Sequence, residues 1–143
     1  MTYADSSFLV SLYLEDQHTA AARRCLAAHG KTLILTSFAK AETQHAIRLI
    51  AFRKLITLGE MTQALIHLER AQDEGDFELR LNEPSELFQR VSQLSNRHAL
   101  EHGVRFPDLL HIASAQLVKA KRFLTFDNRQ QKLAETLGFN VKI

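Results

Sequence analysis

The segment Phe106-Pro107-Asp108-Leu109-Leu110-His111-Ile112-Ala113-Ser114-Ala115 constrains the fold more than any other part of the chain. With Leu109, Leu110, Ile112, Ala113 and Leu117 it forms a helix that has little polar surface, so it must be covered on most sides. Pro107 suits the first position of that helix, where a missing N–H is no loss. Asp108 stands beside the positive end, which favours a carboxylate. An acid there is ordinarily a helix-start residue and nothing more. Its weight changes because three further acids fall at the same edge of the expected fold.

Around this helix, short apolar runs alternate with helical patterns. Thr2 to Ala4 reads as a strand, ended by Asp5, and Phe8, Leu9, Leu12 and Tyr13 then recur at helical spacing. Asp5 or Ser6 can cap that helix. An alanine-rich helix runs from Thr19 to Ala28, with Gly30 as its stop. Leu33-Ile34-Leu35-Thr36 is a continuous apolar run of the kind buried parallel strands show. Ser37 can cap a helix from Phe38 to about Phe52, with Glu42 in its second turn. Thr57-Leu58-Gly59-Glu60 has the spacing of a capping box and opens a helix ending near Gly75. Phe77 to Leu81 alternates like an edge strand. Asn82 is expected to cap a helix that starts at Pro84 and ends near Gly103. Arg122 to Thr125 is a strand, Asp127 and Asn128 cap a helix to Leu137, and Phe139 to Lys142 is a last short strand. This order predicts an α/β fold: a single domain over 1–143, an α/β/α sandwich with a central, mainly parallel sheet and right-handed crossovers.

At 143 residues the chain is long enough to bury a real core, and 45% of its residues are hydrophobic. No apolar run approaches the roughly 20 residues of a membrane helix, and the first residues carry no signal-peptide pattern, so a soluble, cytoplasmic protein is expected. The single cysteine, Cys25, permits no internal disulfide and reads as a small core residue. Net charge is only +2. Basic residues outnumber acids from Arg97 onward, and a modest basic field around an acidic pit suits a polyanion, although a solvated mixed-charge surface accounts for the same residues.

In parallel sheets, sites form at the carboxyl ends of the strands. Asp5 and Asp127 follow two such ends, and Glu42 lies about a turn and a half into a helix leaving a third. Asp108 begins a helix that leads into the fourth strand, so order alone leaves its edge open. Each acid singly is a cap or a solvated side chain. Together they would repel unless a cation held them. Oxygen-only ligation suits Mg²⁺ or Mn²⁺. Two such ions about 3.5–4 Å apart can clamp the attacking and leaving oxygens of a phosphodiester.

Four stretches, in this order, resemble the motif regions of the PIN-domain family, and most nearly the VapC-type toxins of bacterial toxin–antitoxin pairs. They are Tyr3-Ala4-Asp5-Ser6-Ser7-Phe8-Leu9-Val10, Thr36-Ser37 with Ala41-Glu42, Arg105-x-x-Asp108-Leu-Leu-His111-Ile-Ala-Ser-Ala115, and Phe123-Leu-Thr125-Phe-Asp127. The resemblance implies a metal-dependent endoribonuclease on RNA, with Mg²⁺ or Mn²⁺ as cofactor. It assigns Asp5, Glu42 and Asp108 as the principal metal-binding and catalytic acids and Asp127 as the fourth. Ser6 and Thr125 match small polar positions beside them. It also implies a cognate antitoxin that covers the active site, and a homodimer. The acid set is complete, which opposes the alternative of a PIN-fold RNA- or protein-binding module that no longer cuts.

Arg105 and Arg129 are candidates for substrate phosphate, or for pairing with acids. His111 could be a metal ligand, but a buried histidine hydrogen-bonded to a neighbour is the better reading, since the other ligands are hard oxygens. His98-Ala-Leu-Glu101-His102 matches an inverted zinc-peptidase motif, with two histidines on one helical face. Gly103 ends the helix at once and no further ligand is evident, so histidines at a helix end explain the match better. The glycines form no dinucleotide or phosphate loop. A receiver-like signalling domain would need an acidic pair after the first strand, and Asp5 stands single.

Overall fold

The computed structural model describes residues 1–29 and 33–143. The elements run β1 (Thr2–Ala4), α1 (Ser6–Tyr13), α2 (Thr19–His29), β2 (Leu33–Thr36), α3 (Ser37–Phe52), α4 (Leu58–Asp73), β3 (Phe77–Arg80), α5 (Pro84–His102), α6 (Phe106–Leu117), β4 (Arg122–Leu124) and α7 (Asn128–Thr136). The four strands form one parallel sheet in the order β3-β2-β1-β4, flanked by helices. Tyr3 sits at the centre, in register with Ile34 on one side and Phe123 on the other. The fold is therefore the α/β architecture that the alternation of runs implies. Gly30, expected to stop the second helix, lies outside the described residues. Among the described residues, no helix is long and apolar enough to cross a membrane.

The core explains the sheet. β2 is buried at all four positions, whereas β3 buries only Phe77, as befits an edge strand. Tyr3, Phe8, Ile112 and Phe123 are fully buried, and the Tyr3 and Phe123 rings stack with centroids 5.5 Å apart. In α6 every residue from Asp108 to Ala115 is buried. This is the consequence of an apolar helix that packs against α5 and α7 while also touching α3.

Four local expectations need correction. Phe139 to Lys142 is not a strand; only Asn140 bridges to Arg122. Glu83, not Asn82, caps α5, because its carboxylate reaches the Glu86 N–H at 3.0 Å. Thr36, not Ser37, caps α3 by accepting from the Ala39 N–H. α6 starts one residue early: Arg105 is its N-cap, Phe106 its first residue and Pro107 its second. The reciprocal bond from the Arg105 N–H to the Asp108 carboxylate, 2.8 Å, fixes that start. The capping box at Thr57 and Glu60 forms as its spacing implies.

A parallel sheet places all strand carboxyl ends on one side. The chain winds from β1 outward to β3 and then returns to add β4 along the other edge of β1. The reversal leaves a crevice beyond the ends of β1 and β4, where neighbouring connections diverge.

Candidate active site

Asp5 leaves β1 at that crevice, and its N–H is bound by the Leu124 carbonyl of β4 at 3.0 Å. The side chain is fully buried. One carboxylate oxygen accepts from the Phe8 N–H (2.9 Å) and the Ser7 hydroxyl (2.7 Å); the other accepts from the Thr125 hydroxyl (2.6 Å). Burial raises the Asp5 carboxyl above its ordinary range, and nearby His111 and these donors only partly oppose that. Thr125 in turn accepts from the Asp127 N–H at 2.9 Å, and Ser7 from the Phe126 N–H at 2.9 Å. Two hydroxyls thus tie the turn after β4 to the acid after β1.

Asp127 caps α7, accepting from the N–H groups of Arg129 and Gln130. Its second oxygen accepts from the Arg105 guanidinium at 3.3 Å. The same guanidinium donates to Asp108 at 3.1 and 3.2 Å, and the Gln130 amide donates to Asp108 at 3.3 Å. Asp108 is 1% exposed. Arg105 therefore bridges the acid of α6 to the acid after β4, which places Asp108 at the same edge as Asp5.

Glu42, in α3, approaches through His111. The His111 Nε2 lies 2.5 Å from the Glu42 carboxylate, and its Nδ1 lies 2.8 Å from the Tyr3 hydroxyl. Burial alone would raise the Glu42 carboxyl. The His111 hydrogen bond and charge, the neighbouring Ser6 hydroxyl and the Arg105 charge outweigh it and hold the group below its usual range. Burial pushes the Tyr3 phenol upward, so it stays a neutral hydrogen-bonding post.

The sequence-derived residues thus fall at one edge, with differences in detail. Ser7, not Ser6, holds Asp5, and Ser6 faces Glu42. Arg105 pairs with acids. Arg129 is exposed and supplies its backbone N–H to Asp127. His111 is a buried histidine that orients Glu42. Tyr3, Ser7 and Gln130 went unrecognised from sequence; Gln130, three residues after Asp127 in the first turn of α7, carried the clearest signal. An open groove of 460 Å³ runs from Ser6 and Asp127 past His18 towards Arg53. His18 stacks on Phe126 at its margin, with centroids 4.3 Å apart.

The all-oxygen acid set is chemically suited to a hard divalent cation. Among the described residues, however, no three of these acids bring oxygens within 4.8 Å of one another. Protein donors hold them instead: hydroxyls at Asp5, imidazole at Glu42, guanidinium at Asp108 and Asp127. Arg105, whose side chain is 58% exposed, is the donor freest to move.

A family model described as PIN domain matches residues 2–136. No curated protein matches the chain by sequence. Among solved structures, Mycobacterium tuberculosis VapC20, described as a sarcin–ricin loop cleaving toxin, is similar with a TM-score of 0.73 at 17% identity, over 100% of this chain and 98% of that one. A toxin–antitoxin complex from Klebsiella pneumoniae has a TM-score of 0.67 at 15% identity, over 100% and 98%. PAE2754 from Pyrobaculum aerophilum has a TM-score of 0.62 at 22% identity, over 99% and 83%. These likenesses show the fold, and the match along nearly the whole sequence, with the parallel sheet and its acidic edge, makes the chain a member of the PIN-domain family.

Proposed function

We propose that this chain is a Mg²⁺- or Mn²⁺-dependent endoribonuclease, the toxin of a toxin–antitoxin pair. It folds as one PIN-like domain over 1–143, works in the cytoplasm as a homodimer, and is silenced by a cognate antitoxin that covers the acidic edge. The observation that carries this reading is the linkage of Asp5, Asp108 and Asp127 through Thr125 and Arg105 in a chain of a nuclease family. The descriptions of two fold neighbours, a sarcin–ricin loop cleaving toxin and a toxin–antitoxin complex, support the RNA substrate and the antitoxin.

Asp5, Glu42, Asp108 and Asp127 would hold the cation. When bound it supplies a water of lowered pKa and neutralises charge on the scissile phosphate. The remaining work belongs to the chain. Thr125 and Ser7 hold the Asp5 carboxylate in one orientation. Tyr3 fixes the His111 ring, and His111 keeps Glu42 aimed and ionised. Arg105, which pairs with Asp108 and Asp127, would be free to take phosphate oxygens if a cation took its place on those acids, and Arg129 is exposed beside Asp127. Unpaired RNA bases are accessible for recognition along the groove beside Phe126.

Purified protein, freed of any partner, is incubated with a pool of structured RNAs in Mn²⁺, Mg²⁺ or EDTA, with Asp108→Asn in parallel. Discrete fragments that require metal and fall at least about a hundredfold in the variant are expected. A folded protein that binds RNA without cutting it under either metal would replace this reading with a binding module.

A further inference from the structure

The last turns of α5 carry a second group of ligand-type side chains, away from the acids. His98, Glu101 and His102 each offer an atom, and these atoms all lie within 4.8 Å of one another; no other three His, Cys, Asp or Glu side chains among the described residues do this. The His102 Nε2 is 3.9 Å from the Glu101 carboxylate, and the two imidazole centroids are 5.9 Å apart. The His98 Nδ1 and the His102 Nε2 are both buried and have no hydrogen-bond partner. Two buried, unpartnered ring nitrogens on histidines one helical turn apart are unusual, since each such group costs about 1–3 kcal/mol. Histidines merely decorating a helix end would turn these atoms to water.

From this geometry we propose a transition-metal site at the end of α5, with Zn²⁺ bound by His98, Glu101 and His102. Two imidazoles select a borderline cation over Mg²⁺, which prefers oxygen. Tetrahedral Zn²⁺ with ligand bonds of about 2.0–2.1 Å sets its ligand atoms about 3.4 Å apart. The group is thus within a small side-chain adjustment of coordination. The helix C-terminus, where carbonyls point outward, also favours a cation. Glu101, 74% exposed, serves as the third ligand, so it is not free to act as the general base of a peptidase. Water completes the shell. The ion ties together the turns just before Gly103, whose left-handed conformation ends α5, and thereby braces the connection to Arg105 and Asp108.

The test uses untagged full-length protein carrying Asp5→Asn and Asp108→Asn, so that the acidic edge contributes little, stripped with EDTA and titrated with Zn²⁺ by calorimetry. One equivalent is expected to bind, undisturbed by excess Mg²⁺, and to raise the melting temperature by mass action. His102→Gln and Glu101→Gln are each expected to weaken binding about tenfold or more. Ring resonances of His98 and His102 should shift on Zn²⁺ addition, a readout that needs no further variant and survives any folding defect of His102→Gln. Absence of a Zn²⁺ equivalent, shifts confined to other histidines, or unchanged affinity in Glu101→Gln would each overturn the three-ligand site. None of these outcomes bears on RNA cleavage.

Discussion

Asp5 and Thr125 are separated by 120 residues and meet at 2.6 Å, whereas His98, Glu101 and His102 lie on adjacent turns of a single helix. The two groups also differ in how their polar atoms are satisfied. At the sheet edge each acid has protein donors: hydroxyls and an N–H for Asp5, a guanidinium for Asp108 and Asp127, an imidazole for Glu42. At the end of α5 two ring nitrogens have none. An edge assembled from distant segments can stay folded without an ion because the fold supplies surrogate cations and donors. A group assembled on one helix depends on α5 alone for its geometry. A cation at the edge would therefore have to displace Arg105, whereas one at the end of α5 would meet ring nitrogens with no partner to give up.

The largest expected effect separates function from stability at Asp5. Its folded pKa lies above the unfolded value of 3.8 because burial penalises the charged form. Its contribution to stability is then full below pH 3.8 and is lost as pH rises through the folded value, so at neutral pH the ionised carboxylate opposes folding. Asp5→Asn keeps an acceptor for the Phe8 N–H. Cleavage should fall more than about a hundredfold while the metal-free protein gains about 1–2 kcal/mol of stability and so melts higher. RNA cleavage assays and thermal melts in EDTA read both quantities. A lower melting temperature would mean that Asp5 is net stabilising, contrary to the burial argument.

Arg105 tests the surrogate-cation idea directly. Arg105→Ala leaves Asp108 and Asp127 facing one another without their shared guanidinium. The metal-free protein should lose about 1 kcal/mol, a modest figure because the side chain is largely in water. The rise in melting temperature produced by Mn²⁺ should widen relative to wild type. Equal Mn²⁺ responses in the two proteins would show that Arg105 does not compete for the acids.

Glu42 gives a smaller, pH-dependent effect. Its folded pKa lies below the ordinary 4.5, with the His111 bond and charge outweighing burial. The resulting stability is present above pH 4.5 and is lost as pH falls through the folded value. Glu42→Gln should therefore flatten the acid limb of stability measured by denaturant titration, leaving the curve near neutrality displaced by about 1 kcal/mol. An unchanged acid limb would separate Glu42 from this linkage.

Legibility in the sequence follows the same division between local and long-range. The positions of Asp5 and Asp127 were readable because chain order and strand ends suffice to place them, whereas Thr125 came only with the family resemblance. The burial of α6 was readable from its lack of a polar face. The choice between Ser6 and Ser7 was not, because adjacent helical positions differ by a rotation that only the packed crevice resolves. Gln130 carries no charge to mark it, and the Tyr3–His111–Glu42 chain joins three segments whose proximity depends on tertiary packing. The histidines of α5 were visible as a pattern, but nothing in the pattern reveals that two of their nitrogens are buried without partners. The supposed strand after Phe139 failed for the opposite reason: its local pattern suited a strand, yet it pairs only at Asn140.

The smallest effect is a control on purely local structure. Thr57 accepts from the Glu60 N–H at 3.2 Å, and the Glu60 carboxylate accepts from the Thr57 N–H at 2.7 Å, closing the start of α4. None of these groups touches the acidic edge or the end of α5. Thr57→Ala removes one cap acceptor and should lower stability by about 1 kcal/mol. Cleavage per folded molecule, Mn²⁺ response and Zn²⁺ affinity should all stay at wild-type values. A cap that altered Mn²⁺ response would mean that α4 transmits strain through α3 to Glu42, and the acidic edge would then depend on local helix starts as well as on its own long-range bonds.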